Sequence, residues 1–141
     1  MAEQEVREDL SVEQIEDDDW GDPPVDSTYL IRTIHEVRRK PIGLLTAEDL
    51  RIMLGQQVGV DILAPRALAR LERNPLLEGD FYPGDVLVSV VRLPESYWRR
   101  HPSELVRIKR IIEALRELDD PDAQDEDLEK DIEEFLGRVK G

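Results

Sequence analysis

Apolar residues recur every three or four positions through most of the chain, which is the spacing of one face of a helix. The longest such stretch follows Pro102, Ser103 and Glu104, and its apolar positions are Leu105, Ile108, Ile111, Ile112, Leu115 and Leu118. A last stretch repeats in the same way at Leu128, Ile132, Phe135, Leu136 and Val139. Both stretches predict amphipathic helices, separated by a break at residues 119–122.

A third helix is predicted to begin near Tyr29, where Ser27 or Thr28 supplies a capping hydroxyl. Its apolar positions are Leu30, Ile31, Ile34 and Val37. Three basic residues at 38–40 complement the negative end of the helix dipole, and Pro41 ends the helix.

The segment 46–75 predicts two more helices. Thr46 and Asp49 form a capping box for the first, and Gly55 suits a left-handed position at its end. In the second, Asp61 is predicted to cap the start and Pro65 to lie in the first turn. The expected inner surface consists of Leu63, Ala64, Ala67, Leu68, Ala69 and Leu71, and residues 74–75 end the helix.

Residues 86–91 are β-branched and apolar, so periodicity alone does not separate a strand from a buried helix. No other segment makes a convincing partner strand, and Asp85 can cap a helix; a short buried helix is therefore predicted. Pro94 is predicted to start another short helix through Arg99. The fold class that follows is all-α, a compact bundle of about six or seven short helices.

The net charge of −14 is concentrated at the two ends of the chain. Residues 1–26 hold eleven acidic residues and one basic residue, whereas residues 27–118 are slightly basic. We therefore predict an acidic, partly disordered tail at 1–26 and a single helical domain at 27–141. There is no cysteine, signal peptide or long apolar run, so a cytoplasmic protein without a membrane span is expected.

The tail carries one apolar patch among its acids. Leu10, Val12 and Ile15 are spaced for one helical turn, which the run at 17–24 then stops. Trp20 is a docking anchor, either onto this chain's own core or onto a partner. The acidic segments themselves are either solvated, or dock on a basic partner, or fold back on the basic middle.

No catalytic motif or metal-ligand pattern is recognisable, so the sequence predicts a binding module without a cofactor rather than an enzyme. His35 has no second ligand one turn away, and neither acidic run fits a calcium loop. A weak divalent-ion site at Asp17–Asp19, and with it a carboxylate-based metal enzyme, stays as a minor alternative.

Three motifs resemble the immunity proteins of bacterial contact-dependent growth inhibition (CDI) systems: residues 45–51 (LTAEDLR), 55–59 (GQQVG) and 74–85 (NPLLEGDFYPGD). The resemblance covers roughly residues 27–118, and its most specific part is the run around FYPGD. It implies a protein that binds the toxic C-terminal domain of a delivered exoprotein, in many cases a nuclease, and so protects the producing cell. A nuclease needs a cationic surface, which an acidic inhibitor complements.

Charge alone predicts the toxin interface at two acidic surfaces. These are Asp17, Asp18, Asp19, Trp20 and Asp22 in the tail, and Asp125, Glu126, Glu129, Glu133 and Glu134 near the C-terminus. The family-like positions are interpreted as caps, turn formers and, for the two aromatics, core residues: Thr46, Asp49, Gln56, Gln57, Glu78, Gly79, Asp80, Phe81, Tyr82, Pro83, Gly84 and Asp85. For Gln56, Gln57, Glu78, Asp80 and Asp85 the alternative is contact with the toxin. The glycines at 79 and 84 are expected to adopt unusual backbone angles.

The predicted partner is a cognate toxin domain, with no nucleic acid or membrane, and the free protein is expected to be a monomer or weak dimer. An alternative function is that of an acidic adaptor or nucleic-acid mimic that binds basic host proteins.

Overall fold

The computed structural model describes residues 7–140, which form eight α-helices. They are α1 (Val12–Glu16), α2 (Tyr29–Arg38), α3 (Ala47–Gly55), α4 (Val60–Arg73), α5 (Asp85–Val91), α6 (Glu95–Arg100), α7 (Pro102–Arg116) and α8 (Glu126–Val139). Short 3-10 turns occur at Ile42–Leu44 and Pro121–Gln124. Within residues 7–140 the only β feature is an isolated bridge between Glu78 and Pro83, so the all-α prediction is confirmed.

Side-chain oxygens begin several of the helices. Thr28 accepts a hydrogen bond from the backbone N–H of Ile31, and Asp125 accepts one from that of Leu128. Thr46 and Asp49 form the predicted capping box, in which each side chain accepts from the other residue's backbone N–H at 3.0 Å. These contacts satisfy N–H groups that the first turn of a helix leaves without a partner.

Helix α5 lies at the centre of the core. All seven of its residues are buried, and α3, α4 and α8 pack around it. This confirms the helix predicted for residues 86–91. A buried strand without a neighbour leaves its backbone groups unpaired, whereas a helix satisfies them internally.

Aromatic residues close one end of the core. Trp98 of α6 meets Phe135 of α8 edge to face, with ring centroids 5.4 Å apart, and it also contacts Tyr97. These three side chains are at most 1% exposed. Helix α6 thus packs between α7 and α8, and these two helices reach the rest of the bundle through α4 and α5, respectively.

Part of the N-terminal segment packs on the domain. Val12 is fully buried beside Gly59, and the carbonyls of Glu8 and Leu10 accept hydrogen bonds from Gly43 and Ile42. The predicted helical turn is α1. The prediction of partial disorder covers residues 1–26, of which residues 1–6 lie outside the described residues. Among the others, Glu8, Leu10 and Val12 contact the domain.

Three local predictions about helix ends are wrong. Gly55 is the last helical residue of α3, and Gln57 takes the positive φ of 57° instead. Helix α4 starts at Val60 with Gly59 as its cap, so Asp61 is in the first turn rather than at the cap. Pro65 consequently lies inside α4, where it has no N–H to donate to the carbonyl of Asp61 four residues earlier.

Two residues assigned to inner helix faces are exposed. Ile31 of α2 is 40% exposed, and Ala69 of α4 is also at the surface. Ile31 lies at the edge of the buried face of α2, whereas Ala69 lies on the side of α4 opposite to its buried residues.

Candidate functional site

The loop that joins α4 to α5 presents the most specific family-like motif at the surface. We call residues 78–85 the 78–85 loop. It turns back on itself through the bridge between Glu78 and Pro83, and the N–H of Gly84 donates to the carbonyl of Leu76 at 3.2 Å. Gly84 takes a φ of 93°, as predicted, and packs against Leu128 of α8. The loop therefore lies beside the start of α8.

Asp85 holds this loop from the inside. Asp85 is only 4% exposed, and its carboxylate accepts hydrogen bonds from the N–H groups of Gly79 at 2.6 Å and Phe81 at 3.0 Å. A longer contact of 3.4 Å reaches the N–H of Tyr82. The prediction that Asp85 caps the following helix is wrong, because the side chain turns back to the loop and Gly84 occupies the cap position.

Glu48 of α3 holds the same loop from the other side. Its Oε1 accepts from the N–H of Asp80 at 2.8 Å, and its carboxylate makes a two-pronged pair with Arg51 at 2.5 and 2.7 Å. The hydrogen bond from Arg51 lowers the pKa of Glu48, more than burial raises it. The structure thus adds Glu48 and Arg51 as scaffold residues that the sequence analysis did not single out.

Gly79 is required for close approach rather than for an unusual angle. Gly79 does not have a positive φ, so the prediction of an unusual backbone angle at this residue is wrong. A Cβ at this position would lie 2.6 Å from Oε1 of Glu48 and 3.2 Å from Oδ2 of Asp85. Any side chain would therefore push the loop away from the two carboxylates that hold it.

Phe81 and Tyr82 project from the loop instead of packing on the core, contrary to prediction. Phe81 is 67% exposed and Tyr82 is 44% exposed. The guanidinium of Arg51 lies 4.4 Å from the centre of the Phe81 ring, a cation–π contact. The backbone N–H groups of the loop point inward to Asp85 and Glu48, so the side chains of Phe81 and Tyr82 point outward.

A cleft of about 180 Å³ opens beside the two aromatics. Buried Leu54, Val88 and Ser89 line it together with the more exposed Arg51, Tyr82 and Arg92. Partial burial raises the pKa of Tyr82 most, and the negative charge of Asp131 raises it further. Asp125 contributes in the same direction, so the phenol faces the acidic start of α8.

Helix α8 carries the C-terminal acidic surface that the sequence predicted. Asp131 pairs with Arg92 at 2.9 Å, and Glu129 and Glu133 share Arg116 at 2.5 and 2.8 Å. Glu126, Asp127 and Glu134 are exposed, and among residues 7–140 no lysine or arginine pairs with them. Asp125 is the N-cap of the helix.

The tail folds back on α2. Arg38 is almost fully buried; it pairs with Glu16 at 2.6 Å, and its guanidinium lies 4.0 Å from the centre of the Trp20 ring. Arg39 pairs with Asp22 at 3.2 Å and approaches Asp19 at 4.0 Å. Of the alternatives open for this segment, the structure shows the contact with the basic middle, and Trp20 lies on α2 rather than in the core.

The other family-like residues have local roles. Gln56 is the C-cap of α3, and Gln57 takes the left-handed conformation and lines the cleft. Glu78 is exposed at one end of the bridge to Pro83. Asp49 also pairs with Lys40 at 2.7 Å, which ties α3 to the end of α2.

No group of three metal-ligating side chains occurs within residues 7–140. Both histidines interact with backbone carbonyls: Nδ1 of His35 lies 3.0 Å from the oxygen of Gly21, and Nδ1 of His101 lies 2.9 Å from that of Tyr97. None of the helices in this part of the chain is long and apolar enough to cross a bilayer.

Comparison with known proteins gives one match, to a family described as CDI immunity proteins, over residues 14–108. The chain belongs to this family of CDI immunity proteins. Its function is therefore immunity against a CDI toxin, and its partner is the cognate toxin protein. No curated protein and no solved structure matches the chain.

The matched region of this immunity protein includes α2–α6 and the whole 78–85 loop. It also includes the acidic segment at 17–22, but it ends before α8. The match thus covers the loop and both of its scaffold carboxylates, whereas the acidic face of α8 is outside it.

Proposed function

We propose that this immunity protein neutralises a nuclease toxin by binding its toxic domain directly in a one-to-one complex. The observation that supports this most is the acidic face along α8. Glu126, Asp127 and Glu134 are exposed there without an ion-pair partner among residues 7–140. Helix α8 thus keeps charge that is free to act on another molecule.

A nuclease fits the charge of this face, because such an enzyme presents cationic groups to the phosphates of its substrate. An acidic inhibitor complements that surface and accelerates encounter by electrostatic steering. Once bound, the inhibitor covers the cationic surface to which the nucleic acid would bind. The predicted contact residues Asp125, Glu126, Glu129, Glu133 and Glu134 all belong to this face.

The tail acids are proposed as the weaker of the two surfaces. Asp19 and Asp22 already face Arg39, and Glu16 pairs with Arg38. Their charge is thus partly compensated within the chain. Asp17, Asp18 and Trp20 are exposed and complete this second proposed contact.

The test is protection on co-expression. The toxic C-terminal domain of the exoprotein encoded beside this chain is induced in a sensitive bacterium with and without the immunity protein. We expect rescue, loss of nucleic-acid cleavage in the extract, and a purified complex of one copy each by light scattering. Cell death in both cases, with the immunity protein folded, would contradict the proposal and favour the adaptor function.

A charge-reversal pair tests the role of α8. We expect E126K combined with D127K to lower the association rate and weaken its dependence on salt. The matched control is E36K combined with E113K, which changes the net charge equally at exposed sites on α2 and α7. Equal effects of both pairs would show that only the overall charge matters.

A further inference from the structure

The most exposed aromatic pair on a well-held backbone is Phe81 and Tyr82. Large aromatic side chains bury much area on binding and are enriched among the residues that contribute most to affinity. These two are adjacent, 67% and 44% exposed, and next to a cleft of about 180 Å³. Exposed side chains contribute little burial to the stability of the fold, so we look to binding for the reason that both aromatics are exposed.

The loop beneath the aromatics is held in one conformation. Four of its successive N–H groups, from residues 79 to 82, point to the carboxylates of Asp85 and Glu48. Arg51 pairs with Glu48 and also covers one face of the Phe81 ring at 4.4 Å. A side chain held in this way loses little further freedom when a partner arrives, which favours affinity.

The charge around the pair selects the chemistry of the partner. The two arginines beside the cleft are already paired, Arg51 with Glu48 and Arg92 with Asp131. Burial raises the pKa of Tyr82, and the nearby carboxylates of Asp131 and Asp125 raise it further, while Arg92 acts in the opposite direction. A cation placed over the exposed part of the Tyr82 ring would therefore meet both the aromatic face and neighbouring carboxylates.

We propose that Phe81 and Tyr82 are the anchor by which the toxin domain is held, with an arginine or lysine of the toxin stacked on Tyr82. The inference rests on the proposed function and names the site of that binding. The occupant is a basic segment of the toxin surface. Charge complementarity with the acidic start of α8 brings it to the loop, and Leu128 of α8 packs directly against Gly84 of that loop.

The loop and α8 then have separate kinetic roles. Long-range attraction by the acids of α8 sets the association rate, which falls as salt rises. Desolvated contacts at the two aromatics set the dissociation rate, because short-range packing is lost only when the complex separates. The two contributions are separable by experiment.

The experiment measures the binding of a catalytically inactive form of the adjacent-gene toxin domain by surface plasmon resonance. We expect F81A and Y82A each to raise the Kd at least about tenfold, mainly through faster dissociation. Y29A is the matched control, since Tyr29 is 73% exposed on α2 and is not part of the loop. Its Kd should equal that of the wild type.

A second set of variants tests the cation. Y82F keeps the aromatic face and should bind within about threefold of the wild type, whereas Y82L keeps apolar area and should lose most of the affinity. Equal binding by Y82L and Y82F would overturn the stacked cation. Thermal unfolding of each variant confirms that the exposed substitutions leave the fold intact.

Two outcomes separate this inference from the function on which it rests. A tight wild-type complex that is unchanged by F81A combined with Y82A would overturn the anchor and leave the proposed function standing. Failure of the wild-type protein to bind the toxin domain or to rescue the cell would overturn both.

Discussion

Oδ1 of Asp85 lies 2.6 Å from the backbone nitrogen of Gly79, six residues earlier in the chain. The contact closes the 78–85 loop from beneath, where the carboxylate is buried and also receives the N–H of Phe81. The carboxylate thereby satisfies backbone donors that burial would otherwise leave without a partner. The surface that we propose as the toxin anchor therefore depends on a residue that a partner does not reach.

Asp85→Asn tests this dependence. The amide replaces one acceptor oxygen with an N–H₂ donor that faces backbone donors, so at least one buried N–H loses its partner. We expect the free energy of unfolding to fall by about 1–3 kcal/mol in urea titrations. Hydrogen exchange at residues 79–82 should accelerate more than exchange in α7.

Asp80→Asn is the control for that variant. Asp80 is exposed in the same loop, and its backbone rather than its side chain contacts Glu48. A change below about 0.5 kcal/mol is expected. Equal losses in both variants would show that the loop responds to net charge and not to the buried contact.

Two glycines should respond in opposite directions to alanine. Gly84 has a φ of 93°, and a Cβ there would lie 3.2 Å from Leu128. G84A should therefore destabilise the fold by about 1–2 kcal/mol. Gly137 is inside α8 with open space around it, so G137A should stabilise by about 0.5–1 kcal/mol. Chemical denaturation of both variants checks the difference in sign.

Glu48 should make the stability of the loop depend on pH. Its hydrogen bond with Arg51 holds the pKa of Glu48 below its ordinary value of 4.5. The carboxylate therefore contributes stability that is present above pH 4.5 and is lost as the pH falls through the lowered value. We expect the stability difference between the wild type and E48Q to be constant near neutral pH and to shrink in acid.

The measurement for Glu48 is urea denaturation of both proteins from about pH 7 to pH 3, within the reach of the method. Arg51 is a common partner of Glu48 and Phe81, so the same series monitored at the loop by hydrogen exchange reports the local effect. A stability difference that stays unchanged down to pH 3 would contradict the role assigned to the ion pair.

Replacing Tyr97 by phenylalanine should not lower the stability of the fold. Its hydroxyl is buried, and no acceptor for it is found among residues 7–140. Burial raises the pKa of Tyr97, so the folded protein keeps the proton at a pH where the unfolded chain, with a pKa of 10.0, releases it. Stability of the wild type is consequently lost as the pH rises above 10, and Y97F avoids that loss.

We expect Y97F to be as stable as the wild type at neutral pH, or more stable by up to about 1 kcal/mol. Its advantage should grow between about pH 10 and pH 11, as followed by thermal unfolding, because ionisation of the tyrosine lowers the free energy of the unfolded wild-type chain. A destabilised Y97F at neutral pH would show that the hydroxyl has a partner, for which an ordered water is the natural candidate.

The sequence predicts what depends on neighbours along the chain. The capping box of Thr46 and Asp49, the stop at Asn74 and the apolar stripes of α7 and α8 are encoded within a few residues, and the structure confirms them. Gly55 and Asp61 show the limit of this approach. The link between α3 and α4 is so short that Gln57 and Gly59 take the left-handed conformations instead.

The candidate site could be predicted only in part, because it depends on long-range contacts. Glu48 and Asp80 are 32 positions apart, and no local pattern pairs them. From the sequence, Phe81 and Tyr82 are interpreted as core residues, because large aromatic side chains are highly buried on average. Only the three-dimensional path of the loop shows that the backbone faces inward there and that Phe81 and Tyr82 face solvent.

The bonds that hold the 78–85 loop have a consequence for how such a protein changes over generations. Within residues 79–82, Glu48 and Asp85 accept hydrogen bonds from main-chain N–H groups alone, and every residue type except proline supplies that group. Side chains at 80, 81 and 82 can therefore be exchanged with little penalty to folding, while 48, 79 and 85 stay fixed. Substitutions at these three positions therefore change the surface offered to a toxin without changing the backbone of the loop.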